Sequence, residues 1–82
     1  NTKELKFARF LLVSDDKNNT IIISKGVKAI SIKYDIGKDL YILTKLKKGN
    51  ILEVLEGVFF EDLKPIIQEF FRFEYVMDNF LR

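Results

Sequence analysis

The chain has 82 residues, a formal net charge of +2, eight Phe, and neither Cys nor His. That length makes one domain with a marginal core and no disulfide to reinforce it. The missing residue types exclude a Cys or His nucleophile or base, and nearly exclude a zinc site, since they are zinc's softest protein ligands.

Other classes fall away as quickly. No run approaches the roughly 18 apolar residues that span a bilayer, and no secretory signal pattern is present, so no membrane association is expected. Absence of Cys fits a reducing compartment and a cytoplasmic location. A hydrophobic content of 48% argues against disorder. An opening at Asn1 rather than Met suggests that a longer natural chain was trimmed.

The charge is unevenly spread. Residues 1–16 balance to zero, residues 17–48 carry +6, and residues 49–82 carry −4. A basic middle suggests an anionic partner. The alternative is that these lysines solvate a β-rich surface and blunt its edges.

Residues 1–14 are open between two readings. Thr2 could cap a short helix bearing Leu5, Ala8 and Leu12. As a strand, Phe7, Leu11 and Val13 share a face, with Arg9 spoiling the alternation. The turn formers Ser14 to Asn19 and the β-branched run Thr20 to Ser24 favour strand for the second half. Lys25-Gly26 is a short turn. Val27 to Asp35 then alternates, with Ile30, Ile32 and Tyr34 on one face and Ala29, Ser31 and Lys33 on the other.

Ile36 to Lys38 turns the chain into a strand from Asp39 to Lys47. Here Leu40, Ile42 and Leu46 are expected inward, and Tyr41, Leu43, Lys45 and Lys47 outward. A turn at Lys48 to Asn50 leads to a short strand, Ile51 to Glu56, with Leu52 and Val54 inward, which Gly57 is expected to break.

The last stretch reads as a helix starting near Glu61 or Asp62. Leu63, Ile66, Phe70, Phe73, Met77 and Phe80 follow steps of three and four, and Ile67, Phe71 and Tyr75 run beside them. Pro65 is expected in the first turn, where a missing N–H costs little. The expected architecture is α+β: an antiparallel β-meander of four to five strands, with one long C-terminal helix packed on one face. The segments are 1–26, of uncertain type, 27–57, the meander, and 60–81, the helix.

The sheet face opposite the helix is expected to carry Ser31, Lys33, Tyr41, Leu43, Lys45 and Lys47, with Lys25 and Lys28 extending a basic rim. An aromatic ring, an aliphatic side chain and several ammonium groups are the parts of a platform for single-stranded nucleic acid. Bases stack on the ring and phosphates meet the lysines. The competing reading makes Tyr41 and Leu43 a cross-strand pair or an interface contact. The carboxylates Glu53, Glu56, Glu61 and Asp62 read as helix-start and strand-end charges rather than a metal or acid–base pair. No constellation for catalysis is visible, so no enzyme, cofactor, metal or small-molecule substrate is expected. Phe70, Phe73, Met77 and Phe80 exceed what a small sheet can cover, which points to a helix-mediated homodimer.

Two segments, Lys33-Tyr34-Asp35-Ile36-Gly37-Lys38-Asp39-Leu40-Tyr41 and Leu55-Glu56-Gly57-Val58-Phe59-Phe60-Glu61-Asp62-Leu63, resemble the ThermoDBP family of single-stranded-DNA-binding proteins. The resemblance covers about residues 27–75. It implies a four-stranded sheet with helices, a basic and hydrophobic cleft for bases and backbone, and helix-mediated dimers, and it assigns no individual ligand residue. The order of sheet then helix is also similar to coactivators of the PC4 type, in topology alone. Two functions follow as expectations: a dimeric module for single-stranded nucleic acid with little sequence preference, or a protein-interaction and oligomerisation domain without enzymatic activity.

Overall fold

The structure, a computed structural model, describes the backbone of residues 2–7 and 10–81 and the side chains of residues 10–71. Six strands form one antiparallel meander in chain order: β1 (Thr2–Phe7), β2 (Phe10–Asp15), β3 (Thr20–Lys25), β4 (Lys28–Asp35), β5 (Leu40–Lys47) and β6 (Asn50–Val58). The helix α1 (Phe60–Leu81) follows and packs on one face. The α+β meander with a C-terminal helix is therefore the observed architecture. It has six strands rather than four or five because residues 1–14, open between helix and strand, supply a hairpin in which Phe7 stands opposite Phe10.

Local chemistry sets each turn. Between β2 and β3, a 3-10 turn (Asp16–Asn18) ends at Asn19 with φ 51. Asn tolerates this left-handed backbone better than most residues. The Asn18 amide donates to the Asp15 carboxylate at 2.6 Å, which holds the Asp15 carboxyl below its ordinary range. Between β5 and β6, Lys48 and Gly49 both have positive φ, 52 and 79, the requirement of a two-residue type I′ hairpin turn.

The core is small: Ile30, Ile32, Leu43, Val58 and Phe71 are buried together, with Phe10, Ile23, Leu55, Leu63, Ile66, Ile67 and Phe70 packed against them. The helix contributes as its spacing predicts, up to the limit of the described side chains. Phe71, from the second apolar row, is its most deeply buried residue in that range.

The structure departs from the sequence expectations in three places. First, Leu43 points into the core and is 0% exposed, while Leu40 and Ile42 lie on the face away from the helix. The four-residue loop Ile36 to Asp39 sets Asp35 opposite Leu40, so Ile32 faces Leu43 rather than Ile42. A one-residue difference in loop length flips every side chain of a strand. Second, Leu52 and Val54 are 56% and 50% exposed, and Leu55 and Val58 turn inward instead. β6 carries two irregularities, one opposite Tyr41 to Leu43 and one opposite Lys45 to Leu46, each adding a residue to β6. Gly57, with φ 66, sits in the first of these and carries the strand on to Val58 rather than breaking it. Third, α1 begins at Phe60, so Pro65 falls in the second turn. The i−4 carbonyl it leaves without an amide partner belongs to Glu61, an exposed residue, where water can satisfy it.

Candidate functional site

The helix-side face of the sheet changes character from end to end. At one end Lys25 stands opposite Lys28, and Lys28 opposite Lys47. The next register row contains Ile23, Ile30, Lys45 and Glu53, and the row after it Ile21, Ile32, Leu43 and Leu55. At the far end Tyr34 faces Tyr41. The face thus runs from basic, through apolar, to aromatic.

The basic end and α1 enclose a concavity of about 610 Å³, lined by Lys28, Lys45, Lys47, Leu52, Glu53, Glu69 and Phe70. Two connections build it: the Gly26-Val27 turn sets Lys25 opposite Lys28, and the Ile36 to Asp39 loop, through the β4–β5 register, sets Lys28 opposite Lys47. Like charges directly opposite in a sheet repel. The fold offsets this with acceptors and ring faces. Lys28, only 9% exposed, donates to the Phe70 backbone carbonyl at 3.2 Å, and its ammonium lies 4.9 Å from the Phe70 ring centroid. Lys45 pairs with Glu53 at 3.0 Å and lies 5.8 Å from the Phe70 ring. Lys25 lies 4.9 Å over the Phe10 ring. A cation over an aromatic face is attracted by the ring quadrupole.

Of the eight residues expected to bind a nucleic acid on the sheet face opposite the helix, four meet on the helix side instead, Lys28, Lys45 and Lys47 in the groove wall and Lys25 beside them. Lys45 and Lys47 are there because the register of β5 is shifted by one. Ser31 and Lys33 lie on the opposite face, so they cannot join the same site. Leu43 is buried against Ile32, which removes it from any surface. Tyr41 is on the groove face but at its other end, half-buried between Tyr34 and Phe60 with ring centroids 5.2 and 6.2 Å away. Phe70 packs against the core and walls the groove. The side chains of Phe73, Met77 and Phe80, expected to mediate a dimer, lie outside the described residues.

The sequence reading missed Glu53, Glu69 and Leu52 as groove residues. A signal existed for the lysines: a two-residue turn at Gly26-Val27 forces Lys25 against Lys28. None existed for Glu53, whose direction depends on the irregularities in β6.

At the aromatic end, the Tyr34 hydroxyl donates to the Asp39 carboxylate, and that bond holds the Tyr34 phenol above its ordinary value. Beside it a smaller concavity of about 330 Å³ is lined by residues that include Asp15, Asp16, Tyr34 and Tyr41. Among the described residues no group of three Asp or Glu side chains gathers to hold a metal ion, and no helix is long and apolar enough to cross a membrane.

Compared with known proteins, the chain matches no family model, no curated protein and no solved structure.

Proposed function

We propose that the chain is a non-catalytic binding module that holds single-stranded nucleic acid, with little sequence preference, along the lysine groove between the sheet and α1. The observation that carries this reading is the convergence of Lys25, Lys28, Lys45 and Lys47 on one end of one face. Lys47 is exposed and Lys45 half-buried, so both can meet phosphate oxygens from solvent. Leu52, exposed beside them, and the Phe70 ring offer apolar surface to bases. Glu53 and Glu69 on the groove wall repel a backbone that strays from the lysine row, which confines its path.

The test is fluorescence anisotropy of a labelled mixed-sequence single strand, titrated with protein at several salt concentrations. Each phosphate neutralised contributes a slope of about 0.7 in log K against log salt, so the three lysines that solvent reaches, Lys25, Lys45 and Lys47, give roughly 2. Removing the charges of Lys45 and Lys47 together, as Lys45→Gln with Lys47→Gln, lowers that slope by about 1.4. An affinity that does not change with salt contradicts the reading.

A further inference from the structure

The centre of the sheet face away from α1, from β2 to β6, is free of charge. Val13, Ile22, Ser31, Thr44 and Val54 stand opposite one another across β2 to β6. Leu11, Ser24, Ala29, Leu46 and Ile51 form the adjacent row. From β2 to β6 both rows consist of aliphatic and small hydroxyl residues, and the register continues them at the β1 edge with Glu4 and Lys6. Ile22, Ile51 and Val54 are exposed there. The next row holds Asp15, Thr20, Lys33 and Ile42, so charge of both signs lies at the margins, in this row and at the β1 edge.

An apolar sheet face of this kind is what two-layer β packing buries. Five strands at about 4.8 Å spacing, covered for about 20 Å over the two apolar rows and the row of Asp15 and Lys33 beside them, present roughly 500 Å². Two such faces bury roughly 1,000 Å², the lower limit of a specific interface. A patch that large on an isolated chain marks an interaction site.

We infer that this face packs against the same face of a second copy of the chain, sheet on sheet, about a two-fold axis. The uncharged centre requires no complementary charge from a partner. The margin carries both signs, Asp15 and Lys33, so a two-fold pairing can meet it with its own opposite charges. Edge-to-edge pairing is disfavoured at β6, whose two irregularities bend it away from a partner strand. The surface is separate from the lysine groove: a monomeric chain would leave the nucleic-acid reading standing, and a failure to bind oligonucleotide would leave this pairing standing.

Sedimentation velocity of the unaltered chain near 100 μM tests it, beside Ile22→Lys and Val54→Lys variants shown by circular dichroism to be folded. The expected result is a dimer of the 9.6 kDa chain, and at least a tenfold weaker association in each variant. A monomer at this concentration overturns the inference, as does a dimer that both variants preserve. If neither variant folds, isotope-filtered NOEs on the unaltered protein decide. Methyl contacts between copies at Ile22, Leu46 and Val54 support the pairing, and contacts confined to α1 overturn it.

Discussion

Leu43 and Leu52 are both leucines on strands, and their surroundings give them opposite roles. Leu43 is fully buried under α1 between β4 and β6, so Leu43→Ala removes core contacts and leaves a cavity. It should cost about 2–5 kcal/mol in chemical denaturation. Leu52→Ala at its exposed site should stay within about 0.5 kcal/mol. A reversed order would mean that the register of β5 is wrong. The same scale holds a pH dependence. Tyr34 binds its proton more tightly in the folded chain because the Asp39 carboxylate accepts its hydrogen bond. Its pKa is raised on folding, so the contribution is complete below the ordinary value near 10 and is lost as pH rises through the raised value. In an absorbance titration at alkaline pH, Asp39→Asn should move the Tyr34 midpoint down. An unmoved midpoint would show that the bond is absent.

At the scale of the element, the glycines separate into two kinds. Gly57 holds φ 66 within the irregular part of β6, a conformation that disfavours any side chain. Gly57→Ala should cost about 1–2 kcal/mol, and should disturb amide exchange along β6. Gly37 lies outside that backbone region, and a Cβ there would meet only Asp35 Oδ1 at ordinary contact distance, 3.5 Å. Gly37→Ala should be neutral or slightly stabilising through loss of unfolded-chain freedom. The helix, β3 and β4 could be read from the sequence because their periodicity is local: steps of three and four from Leu63 onward, a β-branched run at Ile21 to Ile23, and alternation from Ala29 to Lys33. The inward face of β5 could not. Its alternation was correctly seen, yet both faces carry apolar residues, and only the loop between Asp35 and Leu40 decides which one meets Ile32. β6 was harder still, because two extra residues break its period and send Leu55 and Val58 inward three positions apart.

For the whole molecule, the sheet divides two kinds of surface. One face, under α1, grades from lysine to tyrosine; the other is apolar with a charged margin. The basic middle of the sequence foreshadowed part of this, since Lys25, Lys28, Lys45 and Lys47 do meet. The open platform expected around Tyr41 and Leu43 does not form, because the flipped β5 sends those two residues to the helix side. The two surfaces should respond to salt in opposite ways. Phosphate contacts weaken steeply as salt rises, whereas apolar sheet packing is held or strengthened. Sedimentation in 1 M sodium sulfate should therefore retain the dimer under conditions that abolish oligonucleotide binding. Dissociation of the dimer there would assign it to charge contacts instead.

The most direct test of the nucleic-acid reading is a map of amide shifts as an unlabelled mixed-sequence single strand is titrated into isotope-labelled protein at low salt. Shifts are expected at Lys28, Lys45, Lys47, Leu52 and Phe70, fading as salt is raised, with Ser31 and Lys33 unmoved. Shifts centred on Ser31 and Lys33, or none at any residue, would contradict it.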